Sequence, residues 1–248
     1  MRRDLNGLRV VVTGATSGIG RELAEGLAAG GAEVLAVGRD RERLRQVAGA
    51  HPGIRALEGS LETIDQRLAL RDAILEAGPV DVLINNAGTQ TPVDARAPGP
   101  WAVLATEIEV NLSAPIHLSH LLLPALLDRS GRPGDAAIVN VTSGLAMAPK
   151  AASAPYCATK AGLRSYTKAL RWQLRAEPIL IVEALPPIVR TPMTEGRNDG
   201  AMSAQACAAE IIDGLTRGRI EIYVGKSKLL KRIMRFSPSM GERAMRGS

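Results

Sequence analysis

Short aliphatic runs alternate with longer amphipathic patterns along almost the whole chain. Strand-like segments run from Leu8 to Thr13, Ala32 to Val37, Ile54 to Leu57, Val80 to Ile84, Ala136 to Val141, Ile179 to Leu185 and Ile220 to Val224. Helical periodicity fills the intervals: Ile19 to Ala29, Arg39 to Val47, Ile64 to Glu76, Thr106 to Leu127, Ala154 to Ala176 and Ala204 to Thr216. A bend is expected near Pro115, because proline removes a helix N–H and crowds the preceding turn. Such repetition predicts an α/β fold, a doubly wound parallel sheet with helices on both faces and right-handed crossovers. Composition agrees. Aromatic residues make up 2% of the chain against 46% hydrophobic in all, so the core must be aliphatic, as buried parallel strands require.

The length suits one domain over residues 1–225, followed by a basic extension over 226–248. Seven basic residues and one acid lie in that extension, so it carries the whole formal charge of +6. A neutral body argues against a nucleic-acid footprint. Leu229, Leu230, Ile233 and Met234 recur at helical spacing between lysines and arginines, and Pro238 is expected to end that helix. Its apolar face would pack on the subunit or on a partner copy. The alternative is transient contact with an anionic membrane. Cys157 and Cys207 describe no disulfide framework, which suits a reducing, cytoplasmic setting. No leader is predicted, since the basic start runs straight into the first strand. No stretch reaches the roughly 20 apolar residues of a membrane span. No metal site is predicted.

Thr13-Gly14-Ala15-Thr16-Ser17-Gly18-Ile19-Gly20 joins the first strand to the first helix. Glycines there let a pyrophosphate approach the backbone, and the helix N-terminus offers it free N–H groups. A dinucleotide is the expected cofactor. Its ribose is read at the end of the second strand, where a carboxylate would favour NAD. The chain has Gly38-Arg39-Asp40 instead, and the Arg39 guanidinium suits a 2′-phosphate, so NADP is preferred with NAD possible. Asp40 can cap the next helix. In the alternative, Arg39 is solvated and Asp40 holds the ribose.

Further along stand Asn85-Asn86-Ala87-Gly88 after the fourth strand, Asn111 inside the long helix, and Ser143 after the fifth strand. Tyr156 and Lys160, four apart at a helix start, share one face. Interconverting a carbonyl and an alcohol requires a proton donor or acceptor at the oxygen. A free phenol near pKa 10 does this poorly. A lysine ammonium and an oxidised nicotinamide beside Tyr156 would lower it. Ser143 can hold the substrate oxygen, and Asn111 a water leading to Lys160.

Taken together, these segments resemble the short-chain dehydrogenase/reductase family over about residues 5–225. The resemblance implies a Rossmann fold with Tyr156 as acid/base and Lys160 binding the nicotinamide ribose, while Ser143 positions substrate and Asn111 supports proton relay. It also implies cofactor contacts from Gly14, Thr16, Ser17, Gly18, Ile19, Gly20, Ser60, Leu61, Asn86, Ala87, Gly88, Pro187, Val189 and Thr191. Within the family the chain is similar to the DltE-like oxidoreductases. Asn86 to Gln90, Ala114 to Leu118, Ser143 to Ala146, Ala184 to Pro187 and Tyr223 to Lys226 carry that similarity. Two departures stand out: Pro186-Pro187 replaces the usual Pro-Gly, and Ser60 replaces an aspartate that grips adenine. The substrate is expected to be a small carbonyl or alcohol, in a mostly apolar pocket shaped by Gln90, Leu145, Ala146, Met147, Pro187 and the 190–203 loop. Members of the family usually pair through the helices carrying Asn111 and Tyr156, so a homodimer or homotetramer is expected. A non-catalytic NADP-binding sensor is the rival reading, disfavoured because a sensor needs no Ser143/Tyr156/Lys160 set.

Overall fold

The computed structural model describes residues 3–97, 101–128, 136–196 and 200–247. Seven parallel strands form the main sheet: β1 (Arg9–Thr13), β2 (Glu33–Gly38), β3 (Ile54–Glu58), β4 (Val82–Asn85), β5 (Ala136–Val141), β6 (Ile179–Leu185) and β9 (Glu221–Tyr223). Their order is β3-β2-β1-β4-β5-β6-β9, with Val11 opposite Leu35 on one side and Leu83 on the other. The order reverses between β1 and β4, and in such sheets ligands bind beyond the strand ends at that switch point. A two-stranded parallel pair, β7 (Val189–Arg190) and β8 (Met202–Ser203), ties the ends of the 190–203 loop together.

Helices α1 (Gly18–Ala29), α2 (Arg41–Ala50) and α7 (Ala204–Thr216) cover one face, where Leu23, Leu27, Val47 and Ile211 are fully buried in one cluster with Val10 and Val12 of β1 and Val82 and Ile84 of β4. Helices α3 (Ile64–Glu76), α4 (Trp101–Ile108), α5 (Ala114–Asp128) and α6 (Ala154–Gln173) lie on the other. Leu118, Leu122 and Leu126 recur every fourth residue of α5 and are wholly buried, each stabilising the fold by about 1.5–3 kcal/mol. Asp40 caps α2, accepting the Arg43 backbone N–H at 3.0 Å, and Thr63 caps α3 with a reciprocal bond to Gln66. The doubly wound architecture is the one expected from the alternating pattern.

Two differences from the sequence reading have clear causes. The long helix starts at Trp101 rather than Thr106, and α4 and α5 are joined by a π turn over Glu109–Ser113. The Ala114 N–H reaches back five residues to the Glu109 carbonyl, and Pro115 then has no N–H to give Asn111. The irregularity therefore precedes Pro115. At 28 residues the continuous helix is long and apolar enough to cross a membrane, which the sequence reading did not expect. Here it buries Glu107 and Asn111 as well as Leu118, Leu122 and Leu126, as a core helix does.

The second difference is in the extension. Pro238 does end the first tail helix, α8 (Ser227–Phe236), but it also opens another, α9 (Pro238–Arg246), where its fixed φ suits the first turn. The two form a hairpin, with Gly241 of α9 packed on Met234 of α8. Ser227 and Leu230 are buried on the body, whereas Leu229 and Phe236 are 58% and 83% exposed. Lys228 pairs with Glu210 at 2.7 Å, and Lys231 lies 4.0 Å over the Tyr223 ring.

Candidate active site

A cavity of about 720 Å³ opens beyond the C-terminal ends of β1, β4 and β5. Its floor at one end is the glycine turn. Gly14 has φ +67°, and a Cβ there would lie 2.7 Å from the Ala87 Cα. A Cβ on Gly20 would collide with the Gly14 carbonyl oxygen and the Asn86 amide. Ser17 precedes α1 without a side-chain cap, which leaves the first-turn N–H groups facing the cavity edge formed by Thr16, Ser17, Gly18 and Ile19. Asn86 braces the turn by donating from Nδ2 to the Thr13 carbonyl at 3.0 Å. The backbone there is shaped to accept a pyrophosphate, so the residues present fit a dinucleotide.

At the end of β2, Arg39 lines the cavity and is ion-paired with Glu62. Arg43, one turn further on, lines it as well; its i+4 spacing from Arg39 was a signal the sequence reading did not use. Gly59 and Leu61 form the wall beyond β3, while the Ser60 hydroxyl accepts the Glu62 N–H at 3.4 Å. Ala87, Gly88, Pro187, Val189 and Thr191 continue the lining toward the other end.

Ser143, Tyr156 and Lys160 all meet that far end. Ser143 caps a short 3-10 turn and accepts the Leu145 N–H at 3.1 Å. The Tyr156 phenol lies near enough to the Ser143 hydroxyl for that group to favour its ionisation. Lys160 is buried, donates to the Val141 carbonyl at 3.0 Å, and has its Nζ 5.8 Å from the Tyr156 ring centre. Asn111 faces the same region from the π turn. Its Oδ1 accepts the Thr89 N–H at 2.8 Å, and its Nδ2 donates to the Thr89 carbonyl at 2.7 Å. Burial pushes the phenol up to about 12, against the Ser143 hydroxyl, which lowers it. Burial also brings Lys160 down to about 8. The downward pull expected on Tyr156 is therefore not supplied by the protein groups alone.

Gln90, Leu145 and Pro187 line the cavity, whereas Ala146 and Met147 do not. The tail contributes to the cavity as well, and no motif in the sequence announces it. Lys226, Ser227, Leu230 and Met245 form part of the wall, and the Ser227 Oγ, buried without a hydrogen-bond partner among the described residues, packs over Gly144.

The model of the family described as short chain dehydrogenase matches residues 9–201. The chain belongs to that family. An uncharacterized oxidoreductase of Bacillus subtilis, DltE, is 38% identical over 221 residues, covering 86% of each chain. A short chain dehydrogenase from Burkholderia cenocepacia solved with NADP superposes with TM-score 0.86 over 98% of each chain, at 23% identity, and so shares the fold. Another from Sphingobium yanoikuyae, solved with NADPH, is 25% identical with TM-score 0.77 over 92% of this chain and 93% of its own. The chain is thus a nicotinamide-dependent oxidoreductase of that family, similar to DltE.

Proposed function

We propose that this oxidoreductase prefers NADP(H) and interconverts a carbonyl with a secondary alcohol, using Tyr156 as the acid/base. The convergence of Ser143, Tyr156 and Lys160 on the cavity that also holds the glycine turn carries the reading, with Lys160 fixed by its bond to the Val141 carbonyl. The bound cofactor supplies the hydride, and its oxidised ring a positive charge beside Tyr156. In reduction the Tyr156 O–H gives its proton to the carbonyl oxygen while Ser143 donates a second hydrogen bond to it. Lys160 orients the ribose and returns a proton to the phenolate along a path that Asn111 supports. Gly14, the Thr16 to Gly20 turn, Asn86, Ala87 and Gly88 would hold the pyrophosphate and ribose, and Arg39 the 2′-phosphate. Leu61, with the Ser60 backbone, would flank adenine. Pro187, Val189 and Thr191 would meet the carboxamide. A panel of ketones, aldehydes and alcohols, followed by nicotinamide absorbance, tests this. Tight NADP binding with no turnover on any of them would favour a sensor instead.

Two partner readings belong with it. Both tryptophans of the chain are exposed on the helices that carry the site, Trp101 at 71% on α4 and Trp172 at 68% on α6. Large exposed aromatics on paired helices support a homodimer or homotetramer through them. Light scattering at dilute, physiological-salt conditions is expected to give a multiple of the 26.2 kDa chain, and a pure monomer would refute it. On the tail, exposed Leu229, Phe236 and Met240 lie beside Arg232 and Arg235, which supports transient contact with anionic membranes. Flotation on anionic but not neutral vesicles is expected at low salt, and to be lost in Leu229→Ser/Phe236→Ser. The two buried, unpaired cysteines fit the cytoplasm as the compartment.

A further inference from the structure

One turn before Asn111, on the same face of the long helix, stands Glu107, wholly buried. Its Oε2 accepts the Thr91 backbone N–H at 2.6 Å, while Oε1 has no hydrogen-bond partner among the described residues. The hydride-transfer chemistry proposed above does not use it. A carboxylate removed from water is costly unless a charge or hydrogen bonds compensate it, so its presence here needs a compensating partner.

The groups facing it come from α6, which packs against α4. Its negative charge favours the ammonium of Lys160 and opposes ionisation of Tyr156 and Cys157. Lys150, which acts on Cys157, is the other cation on that side. Burial raises the Glu107 pKa, and the Thr91 bonds together with Lys160 counter the rise. On the loop side, Glu107 and Asn111 act as a pair of clamps. Asn111 holds both backbone groups of Thr89, Glu107 holds Thr91, and Gln90 between them lines the cavity.

We propose that Glu107 is a positioning residue for the Tyr156–Lys160 pair, clamping the Thr89–Thr91 turn and serving as counter-charge to the Lys160 ammonium. The proposal rests on the acid/base reading of that pair. Carbonyl reduction needs Tyr156 and Lys160 both protonated. The Lys160 value near 8 is held up by Glu107, so removing the carboxylate charge makes the ammonium dissociate at lower pH. The same change eases ionisation of the phenol. Both effects move the alkaline limb of activity in one direction.

Glu107→Gln keeps an acceptor for the Thr91 N–H and removes the charge. The alkaline limb of its kcat/KM profile for carbonyl reduction is expected about one pH unit below that of the wild type. Glu107→Asp keeps the charge but shortens the clamp, so its limb should stay in place while kcat/KM falls. An unmoved limb in Glu107→Gln overturns the counter-charge, since loss of the clamp alone would lower the rate without shifting the limb. The Thr91 amide resonance, followed by NMR in cofactor-free protein, gives a readout free of turnover. In the wild type its proton should lie far downfield and titrate with an inflection above the ordinary glutamate range. If the Gln variant fails to fold, that titration decides, and a Thr91 amide without it overturns the proposal. A protein that titrates as expected yet reduces no carbonyl would refute the function and leave the Glu107 clamp supported.

Discussion

Tyr156→Phe is expected to lower turnover by roughly 10²–10⁴-fold while leaving cofactor affinity nearly unchanged, because only a positioned proton donor is lost. The phenol lines the cavity with Ser143, and it belongs to α6 rather than to the glycine turn that would hold the pyrophosphate. Phenylalanine keeps the ring against Lys160, whose own bond to the Val141 carbonyl does not depend on the hydroxyl. Stopped-flow hydride transfer and fluorescence titration of NADPH separate the two quantities. Turnover within tenfold of the wild type would remove Tyr156 from the chemistry. The pH dependence has a definite sign as well. Burial brings Lys160 down to about 8, so its ammonium is complete below that pH and lost above it. Carbonyl reduction should therefore decline as pH rises through about 8. Tyr156, pushed up to about 12, remains a proton donor throughout that range.

The parts of this molecule written in local sequence were legible there. Parallel strands buried on both faces must be aliphatic runs, and β5 and β6 begin and end at the expected residues. Tyr156 and Lys160 meet because four residues make about one helical turn. Asp40 caps α2 because its short carboxylate can reach the N–H three residues on. What escaped depends on contacts between segments distant along the chain. Glu107 looks like a solvated acid in a helical pattern, and only the packing of α4 on α6 and the return of Thr91 make it a buried one. Ser227, Leu230 and Met245 belong to a tail that follows the last strand, so no spacing relates them to Gly144 or the cavity they help enclose. In the sequence alone Pro238 is a stop signal. It is equally suited to start a helix, and the packing of Gly241 on Met234 decides between the two.

Arg39→Glu is expected to lower the ratio of NADP to NAD affinity by about 10²-fold, the worth of one to two charge-assisted hydrogen bonds to phosphate plus new repulsion. The side chain is exposed at the cavity edge and already paired with Glu62, so water and that carboxylate both weaken its attraction for a ligand. A 2′-phosphate carries more charge than a carboxylate and offers a pair of oxygens to the guanidinium fork, so it should displace Glu62. Glu at position 39 would put two acids together at the same edge, with nothing to offer the phosphate. NAD loses no phosphate contact, and the new carboxylate can accept from its ribose hydroxyl, so its affinity should hold or rise. Arg43 sets the limit on the effect. It lines the same edge but spends part of its charge on Asp40 at 3.2 Å, so it can hold some of the phosphate alone. Adding Arg43→Ala to the first substitution should therefore deepen the loss for NADP and leave NAD unaffected. Paired titrations of the single and double variants, at fixed ionic strength, measure this. An unchanged NADP/NAD ratio in Arg39→Glu would mean that its guanidinium stays with Glu62 and solvent, and that Asp40 reads the ribose.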